Sequence, residues 1–252
     1  MTAEHRTWRS RLFWPFLVMG LTGGAGAGVL IAHPEWVKIQ SIQIDLADSS
    51  DQHLLFQRIR SSLLPQLRHF EGKYFWQVSL ATVMELAIKD RRVKSASLFR
   101  EFPSRLRLEI LPHTPVLGYL GSDGRVYPVA RDATLLPPQS HHDAPDLPFL
   151  RGEDLKDEPG LREMALELFA AIPDSGPLQK ASVSEIIYAR KEGFKIFVTG
   201  AKAEIKMGDQ DFGPRVSRVN KVLSYLESRN VRGRVIDARF SKKVVVRVRN
   251  TP

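Results

Sequence analysis

The sequence of 252 residues contains no cysteine, so no disulfide bond and no thiolate metal or redox centre can form. It also lacks the G-x-S-x-G, P-loop and G-x-G-x-x-G motifs that mark many hydrolases and nucleotide-binding enzymes. Glu71, Glu101 and Glu109 are carboxylates of the type that glycosidases pair, but carboxylates on strands and turns are usually just solvated. We therefore predict that the protein is not an enzyme and holds no cofactor.

Two short stretches contain residues that commonly bind metals. His141, His142 and Asp143 are adjacent in a proline-rich stretch, where neighbouring residues rarely converge on one ion. Asp209 and Asp211 alternate in a turn-like segment that lacks the terminal bidentate Glu of a calcium loop. Neither stretch has the ligand spacing of a known site, so we predict no metal site.

One long uncharged run, residues 12–32, is long enough to cross the ~30 Å hydrocarbon core of a bilayer as a helix. Three arginines in residues 1–11 precede it and Lys38 is the only nearby basic residue after it, which predicts a cytoplasmic tail and an exported body. A cleavable signal peptide is the alternative, because "GAGAG" offers the small residues of a cleavage site. The run exceeds the ~7–15 residues of a signal peptide's apolar region, which favours a retained single-pass membrane anchor.

Acidic residues are too few to balance the basic ones: 37 Lys and Arg face 28 Asp and Glu, and the formal net charge is +9. Such an excess attracts anionic lipid head groups, cell-wall polymers or nucleic acid. Export would separate the protein from nucleic acid, and the basic residues are scattered among acidic ones. We therefore expect no nucleic-acid partner.

Residues 36–112 are predicted to form a small α+β unit with the order strand, helix, helix, strand, strand. Apolar residues alternate in "WVKIQSIQI", as they do in a half-buried strand. Leu55, Ile59 and Leu63 then recur at helical spacing, which predicts the buried face of the first helix.

Ser79 is the predicted N-cap of the second helix. The stretches "VKSASLFR" and "RLRLEI" follow it and alternate like strands, with a hairpin turn at Pro103-Ser104.

Tyr74, Phe75 and Trp76 form a dense aromatic cluster just before the second helix. A stacking surface is conceivable, but packing in a core or against another domain is the favoured interpretation.

Residues 113–252 are predicted to form a mostly antiparallel β domain with two helices. Asp123-Gly124 between two alternating runs is a strong hairpin signal, and the proline-rich residues 128–148 predict an irregular loop. "RVSRVNKVLSYLESR" predicts one helix, and "GLREMALELFAAI" predicts the other. The inward face expected for the latter consists of Leu161, Met164, Leu168 and Ile172.

The chain closes on a strand-like stretch in which Val244, Val246 and Val248 alternate with Lys243, Val245, Arg247 and Arg249. A last strand can leave one edge of a sheet unpaired. Charge on such an edge protects it against aggregation, whereas an accessible edge can bind a strand of another chain. The residues by themselves leave both interpretations open.

From residue 12 onward the chain resembles the FtsQ/DivIB family of bacterial division proteins. Arg100, Phe102 and Pro103 stand in the R-x-[WF]-P positions of that family's hairpin. Each matching stretch is weak alone, but five in the correct order are fairly specific. The five stretches are "YFWQVSL", "RVKSASLFREFPSRLRLEI", "TPVLGYL", "LPFLRG" and "IDARF".

The resemblance implies a POTRA domain over residues 36–112, directly outside the membrane, and an FtsQ-like β domain over residues 113–252. Some positions depart from the family pattern. Pro112-His113 replaces a usual Glu-Arg pair, and Lys243 and Val248 occupy places where the family often carries Gly and Trp. Contacts with partners near these positions are therefore less certain than the fold.

The resemblance also implies a non-enzymatic scaffold of the divisome at the division septum. In such proteins the last strand receives a segment of FtsB, a small coiled-coil membrane protein bound together with FtsL, and the complex helps recruit and regulate the septal peptidoglycan synthase FtsW/FtsI. The added strand is held by backbone hydrogen bonds, and basic side chains favour an acidic segment. The implied contact residues are Phe240, Lys242, Lys243, Val244, Val246, Arg247 and Val248. A second implied surface, for localisation, is the hairpin with Arg100, Phe102 and Pro103.

Two other classes of protein remain open. One is a different POTRA-bearing export or assembly factor, which would normally accompany an outer-membrane barrel, and long series of ~10-residue barrel strands are absent here. The other is a periplasmic module that binds the cell wall, which co-sedimentation with peptidoglycan would test.

Overall fold

The computed structural model describes residues 38–140, 146–199, 203–231 and 233–248. The chain divides into two compact units between Pro112 and His113. The predicted membrane span at residues 12–32, the tail at residues 1–11 and the cluster of His141, His142 and Asp143 lie outside the described residues. Within the described part of the chain, no helix is long and apolar enough to cross a membrane.

The first unit has the predicted order of strand, helix, helix, strand, strand. A short 3₁₀ turn at Arg68–Phe70 extends the first helix. The elements are β1 (Ser41–Leu46), α1 (His53–Leu67), α2 (Leu80–Lys89), β2 (Val93–Glu101) and β3 (Arg105–Pro112).

Strand β3 is the centre of the three-stranded sheet in this unit, because it pairs in parallel with β1 and antiparallel with β2. Its alternating residues Leu106, Leu108 and Ile110 are fully buried, as the period-2 pattern predicts. The helices supply the other half of the core, since the predicted residues Leu55, Ile59 and Leu63 are all buried. At α2, the hydroxyl of Ser79 accepts a hydrogen bond from the Thr82 amide, which confirms the predicted N-cap.

The second unit contains one eight-stranded sheet and two longer helices among its described residues. Short 3₁₀ turns at Glu153–Leu155 and Lys180–Ser182 lie in its connections. The strands are β4 (Pro115–Leu120), β5 (Val126–Ala130), β6 (Phe149–Arg151), β7 (Val183–Ala189), β8 (Gly193–Val198), β9 (Ala203–Gly208), β10 (Gly233–Asp237) and β11 (Val245–Val248). The helices are α3 (Pro159–Ala171) and α4 (Phe212–Ser228).

The sheet is more mixed than the mostly antiparallel arrangement that we predicted. Its order is β11-β10-β9-β8-β7-β6-β4-β5, and the pairs β4–β6, β6–β7 and β9–β10 are parallel. Parallel neighbours need a crossover connection, which helices commonly provide. Here α3 connects β6 to β7 and α4 connects β9 to β10, so the two predicted helices are the reason for two of the parallel pairs.

Helix α3 is rotated relative to its predicted inward face. Leu168 and Ile172 are buried as expected, but Arg162 and Ala165 are also buried, whereas Leu161 and Met164 are only partly buried. The Arg162 guanidinium tolerates burial because it donates hydrogen bonds to the carbonyl oxygens of Ala133, Leu155 and Lys156. These carbonyls lie outside the helix, so the spacing of apolar residues within the helix could not predict that Arg162 would be buried.

We expect Leu108→Ala to destabilise the first unit, because it removes a fully buried side chain from the central strand. The free energy of opening should fall by about 2–5 kcal/mol, the usual cost of such a cavity. Hydrogen exchange followed by mass spectrometry of peptides from residues 105–112 measures this, with second-unit peptides as an internal reference. Leu54→Ala is the matched control, because Leu54 is 84% exposed, and its effect should stay within about 0.5 kcal/mol.

Candidate partner-binding edge

The two outer strands of the eight-stranded sheet differ in whether their outer sides are covered by other parts of the chain. The outer side of β5 is covered by the chain that follows it: the Leu136 amide donates to the Pro128 carbonyl oxygen at 2.8 Å, and Gln139 forms an isolated bridge with Val126. Pro128 itself fits an outer strand, since proline cannot donate to a second ladder. This edge of the sheet is therefore closed.

Strand β11 forms the opposite edge, as the sequence predicts for the last strand. It pairs antiparallel with β10, and no other strand among the described residues pairs with its outer side. An outer strand directs unpaired backbone N–H and C=O groups away from the sheet. Residues 245–248 therefore present an open edge where another strand could add.

The side chains of β11 divide between the core and the solvent. Val244 and Val246 are half-buried against the hydrophobic core, and Val246 lies opposite the fully buried Ile236. Val245 and Arg247 are exposed, with Val245 at 45%. The pattern predicted for the strand is thus confirmed for these four positions.

Val248 departs from its predicted place among the inward valines, because its side chain is 46% exposed. It lies opposite Gly233, which has no side chain to cover it, and the register shifts between Gly233 and Val235. Of the three exposed positions of the edge, Val245 and Val248 are consequently apolar and Arg247 is charged. The sequence analysis did not include Val245 among the implied contact residues.

Phe240 and Lys243 form a small projecting pair before β11. The Phe240 ring is 44% exposed, and the Lys243 ammonium lies 5.3 Å from the ring centroid, within cation–π range. Lys242, Lys243 and Arg247 are exposed and make no ion pair with any described residue. Within the described ranges, three cations without a carboxylate partner thus lie at or next to a partly apolar edge.

A local ion pair sets the direction of the chain before this projecting pair. The Arg239 guanidinium donates to both carboxylate oxygens of Asp237, at 2.9 and 2.7 Å, and the Arg239 amide donates to the same carboxylate. These hydrogen bonds from Arg239 lower the pKa of the Asp237 carboxyl. The "IDARF" stretch therefore has a physical role, since its Asp and Arg hold the turn from which Phe240 projects.

Helix α4 supports the same turn from the other side. The Arg218 guanidinium donates to the Phe240 carbonyl oxygen at 3.3 Å, and the buried Arg215 guanidinium donates to the carbonyl oxygen of Met207 at the end of β9. Sequence analysis missed Asp237, Arg239 and Arg218 as supporting residues. The spacing of Asp237 and Arg239 was a readable signal, whereas nothing in the sequence indicated that Arg218 reaches residue 240.

Ionic side chains cover the sheet beside this turn. The Glu192 carboxylate accepts hydrogen bonds from Lys195 and from Lys206, the latter at 3.1 Å, and these contacts lower its pKa to about 2. Lys206 lies opposite Lys195 on one side and opposite Asp237 on the other. The open edge is therefore next to a region where charges are paired, which contrasts with the unpaired cations at β11.

The second surface implied by the sequence lies at the turn between β2 and β3. Phe102 is 77% exposed, and the Phe102–Pro103 peptide bond is cis. The Arg100 guanidinium donates to the carbonyl oxygens of Phe75 and Val78, each at 3.1 Å, so it ties the strand to the segment before α2. Phe102 and Pro103 are thus available at the surface, while the Arg100 guanidinium is engaged within the unit.

Metal sites and paired carboxylates were the other kinds of site considered in the sequence, and of the metal candidates only Asp209 and Asp211 lie in the described part of the chain. Within the described ranges, no group of three or more His, Asp or Glu side chains is placed to hold a metal ion. Of the carboxylates considered for glycoside hydrolysis, Glu101 accepts a hydrogen bond from Arg107 at 2.7 Å and is near Arg105.

Two α+β units, the second ending in an open sheet edge with unpaired cations, define the structural class of this protein. Comparison with known families gives a more specific assignment: residues 118–239 match the family model described as cell division protein FtsQ/DivIB, C-terminal. This match runs from β4 to Arg239 and ends before Phe240 and β11.

Three curated proteins, each named cell division protein FtsQ, are similar over a longer part of the chain. The protein of Geotalea daltonii is 23% identical over 243 residues, which cover 91% of this chain and 83% of the relative. The protein of Myxococcus fulvus is 26% identical over 232 residues, which cover 87% of this chain and 78% of the relative. The protein of a Geobacter species is 24% identical over 183 residues, which cover 70% of this chain and 66% of the relative. The resemblance inferred from the sequence is confirmed: residues 118–239 match the FtsQ/DivIB C-terminal family model, and the chain is similar over most of its length to bacterial proteins named cell division protein FtsQ.

The lowered pKa of Glu192 predicts that the stability of the second unit depends on pH. A carboxyl whose pKa is about 2 in the folded protein and 4.5 otherwise contributes stability above pH 4.5, and loses it as the pH falls toward 2. The difference in apparent Tm between the parent and Glu192→Gln should therefore be largest above pH 4.5 and vanish near pH 2. Circular dichroism melting at several pH values measures this difference.

Glu163→Gln is the control for this experiment, because Glu163 is exposed on α3 and makes no ion pair with a described residue. An equal pH-dependent difference for Glu163→Gln would contradict the assignment of the effect to the contacts of Glu192.

Proposed function

We propose that this protein is a non-enzymatic scaffold of the bacterial divisome, and that the open edge of β11 binds a strand of an FtsB-like partner. The observation that carries the proposal is the asymmetry of the sheet: the fold covers the outer side of β5 with its own loop and leaves the outer side of β11 open. If the fold only had to prevent the addition of another strand, we would expect both outer strands of the sheet to be covered.

The side chains at the edge favour binding over protection. Protected edges place charges within the strand, whereas β11 carries Arg247 as its single charge and exposes Val245 and Val248. The partner strand would gain backbone hydrogen bonds along residues 245–248, and its alternate side chains would lie beside Val245 and Arg247. Lys242, Lys243 and Arg247 would attract an acidic segment and accelerate its encounter with the edge.

The remaining parts of the proposal follow from the family and the chain order. The first unit, with the order β-α-α-β-β, is proposed to be a POTRA domain over residues 36–112, and residues 113–252 an FtsQ-like β domain. Residues 12–32 are proposed to anchor the chain in the inner membrane, with residues 1–11 in the cytoplasm and the body outside, at the septum. An FtsL-like protein would bind together with the FtsB-like one, and the complex would recruit and regulate the septal synthase FtsW/FtsI.

The turn at Arg100, Phe102 and Pro103 is proposed as a second contact surface for localisation. Phe102 supports this role, because its ring is 77% exposed at the end of a hairpin and contributes little to its own unit's core.

Co-purification of the full chain in detergent with an acidic FtsB-like coiled-coil protein tests the proposed edge. Phe240→Ala with Lys243→Glu should reduce recovery of the partner at least about tenfold, because it removes an exposed aromatic anchor and reverses a charge. Tyr225→Ala with Lys221→Glu is the matched control: it makes the same change in kind at two exposed positions of α4 and should leave recovery unchanged. Equal recovery from all three proteins would place the partner surface elsewhere.

Salt provides a second test of the same edge. If Lys242, Lys243 and Arg247 steer an acidic segment, the association rate should fall about 3–10-fold as salt rises from low to physiological ionic strength, while the dissociation rate changes little. Surface plasmon resonance on the parent measures both rates. An association rate that is unaffected by salt would contradict electrostatic steering.

A further inference from the structure

An exposed aromatic and cationic patch lies in the first unit, next to the point where the described chain begins. Trp76 is 68% exposed, and its ring stacks parallel to that of Tyr74 with 4.8 Å between centroids. The Lys38 ammonium lies 5.4 Å from the Tyr74 ring centroid, and Lys73 precedes Tyr74 in the chain. We call Lys38, Lys73, Tyr74 and Trp76 the aromatic–lysine patch. Packing of Trp76 in a core, which the sequence favoured, is wrong within this unit.

Backbone hydrogen bonds fix the patch to the residues that lead into β1. The Ile39 amide donates to the Lys73 carbonyl oxygen at 2.9 Å, and the Gly72 amide donates to the Ile39 carbonyl oxygen at 2.8 Å. Lys38 and Tyr74 form an antiparallel bridge. The patch therefore cannot move away from residue 38 without breaking these bonds.

The length of chain before residue 38 limits how far the patch can be from a bilayer. Five residues, 33–37, separate the end of the uncharged run at residue 32 from Lys38, so six Cα–Cα steps join the two. Even when fully extended they span at most roughly 20 Å. If residues 12–32 cross the membrane, the patch must lie close to the head groups on the outer side.

We propose that the aromatic–lysine patch binds the surface of an anionic bilayer and thereby orients the first unit on the membrane. The inference rests on the proposed membrane anchor. Trp and Tyr rings favour the interface between head groups and acyl chains, and each nearby Lys is attracted by anionic lipid. Glu71 is the one exposed acidic side chain within the 71–79 segment, and two lysines outnumber it.

A lipid surface explains the composition of the patch better than a protein partner does. A parallel Tyr–Trp stack beside the Lys38 ammonium, with the Lys73 ammonium over the neighbouring Phe70 ring, presents an amphipathic face. If residues 12–32 anchor the chain, this face lies where the chain leaves the membrane. The basic excess of the whole chain adds a favourable long-range term for an anionic bilayer.

Fluorescence quenching of Trp76 in proteoliposomes tests the proposal. The full chain with Trp8→Phe, Trp14→Phe and Trp36→Phe keeps Trp76 as its single tryptophan. It is reconstituted into phosphatidylcholine vesicles that contain brominated lipid, with and without anionic phosphatidylglycerol. We expect bromolipid quenching of Trp76 that is about threefold stronger with the anionic lipid and that declines as salt is added.

Charge-reversal variants in the same background separate the patch from the general basic charge. Lys38→Glu with Lys73→Glu should reduce quenching to the level seen without anionic lipid. The control Lys89→Glu with Lys94→Glu makes the same charge change at two exposed positions of the first unit and should leave quenching unchanged. Equal quenching in both double variants, or protection of Trp76 only when a division partner is added, would overturn the proposal.

The test also distinguishes this inference from the proposed function. If the chain is intact in the vesicle membrane and retains its partner through β11, but Trp76 remains accessible to aqueous acrylamide and is not quenched by bromolipid, only the patch inference fails. If mass spectrometry of cell membranes shows that the chain is cleaved after the uncharged run, the proposed anchor fails and this inference fails with it.

Discussion

Backbone pairing at the ends of the eight-stranded sheet is the constraint on which the interpretation of this protein depends. Each inner strand satisfies its N–H and C=O groups on both sides, whereas an outer strand can do so on only one. The fold resolves this problem at β5 with a returning loop and with Pro128. Among the described residues it does not do so at β11, where the open edge is accompanied by exposed valines and by cations that make no ion pair. The binding surface that we propose therefore rests on an outer strand with an unpaired backbone rather than on a cleft.

The same local motif sets the course of the chain in both units. Asp90 and Arg92 precede β2, whereas Asp237 is the last residue of β10 and Arg239 lies two positions after it. In each case the carboxylate accepts from the amide and the guanidinium of the residue two positions later. The pKa of Asp90 is lowered although burial opposes this, because the hydrogen bonds from Arg92 outweigh the loss of solvation. A charge-assisted turn of this kind is local, so it aims a strand without requiring a large core.

Local patterns predicted most elements, but they failed where distant atoms decide the outcome. The buried faces of α1 and β3 and the N-cap at Ser79 followed from spacing alone, because each depends on neighbours within a few residues. The burial of Arg162 depends on three carbonyls in other loops, and the exposure of Val248 depends on the glycine opposite it in β10. The exposure of Trp76 likewise depends on the absence of a covering element within its own unit.

The sequence by itself determined the order of the elements, the alternation along most of the last strand and the resemblance to the FtsQ/DivIB family, because these are encoded in short stretches of fixed spacing. Only the tertiary structure decided which strands are neighbours, that three of the pairs are parallel, and that β5 is covered while β11 is open. The physical reason is that strand pairing joins residues far apart in the chain. Period-2 alternation states which way a side chain points, but it carries no information about the strand that will lie beside it.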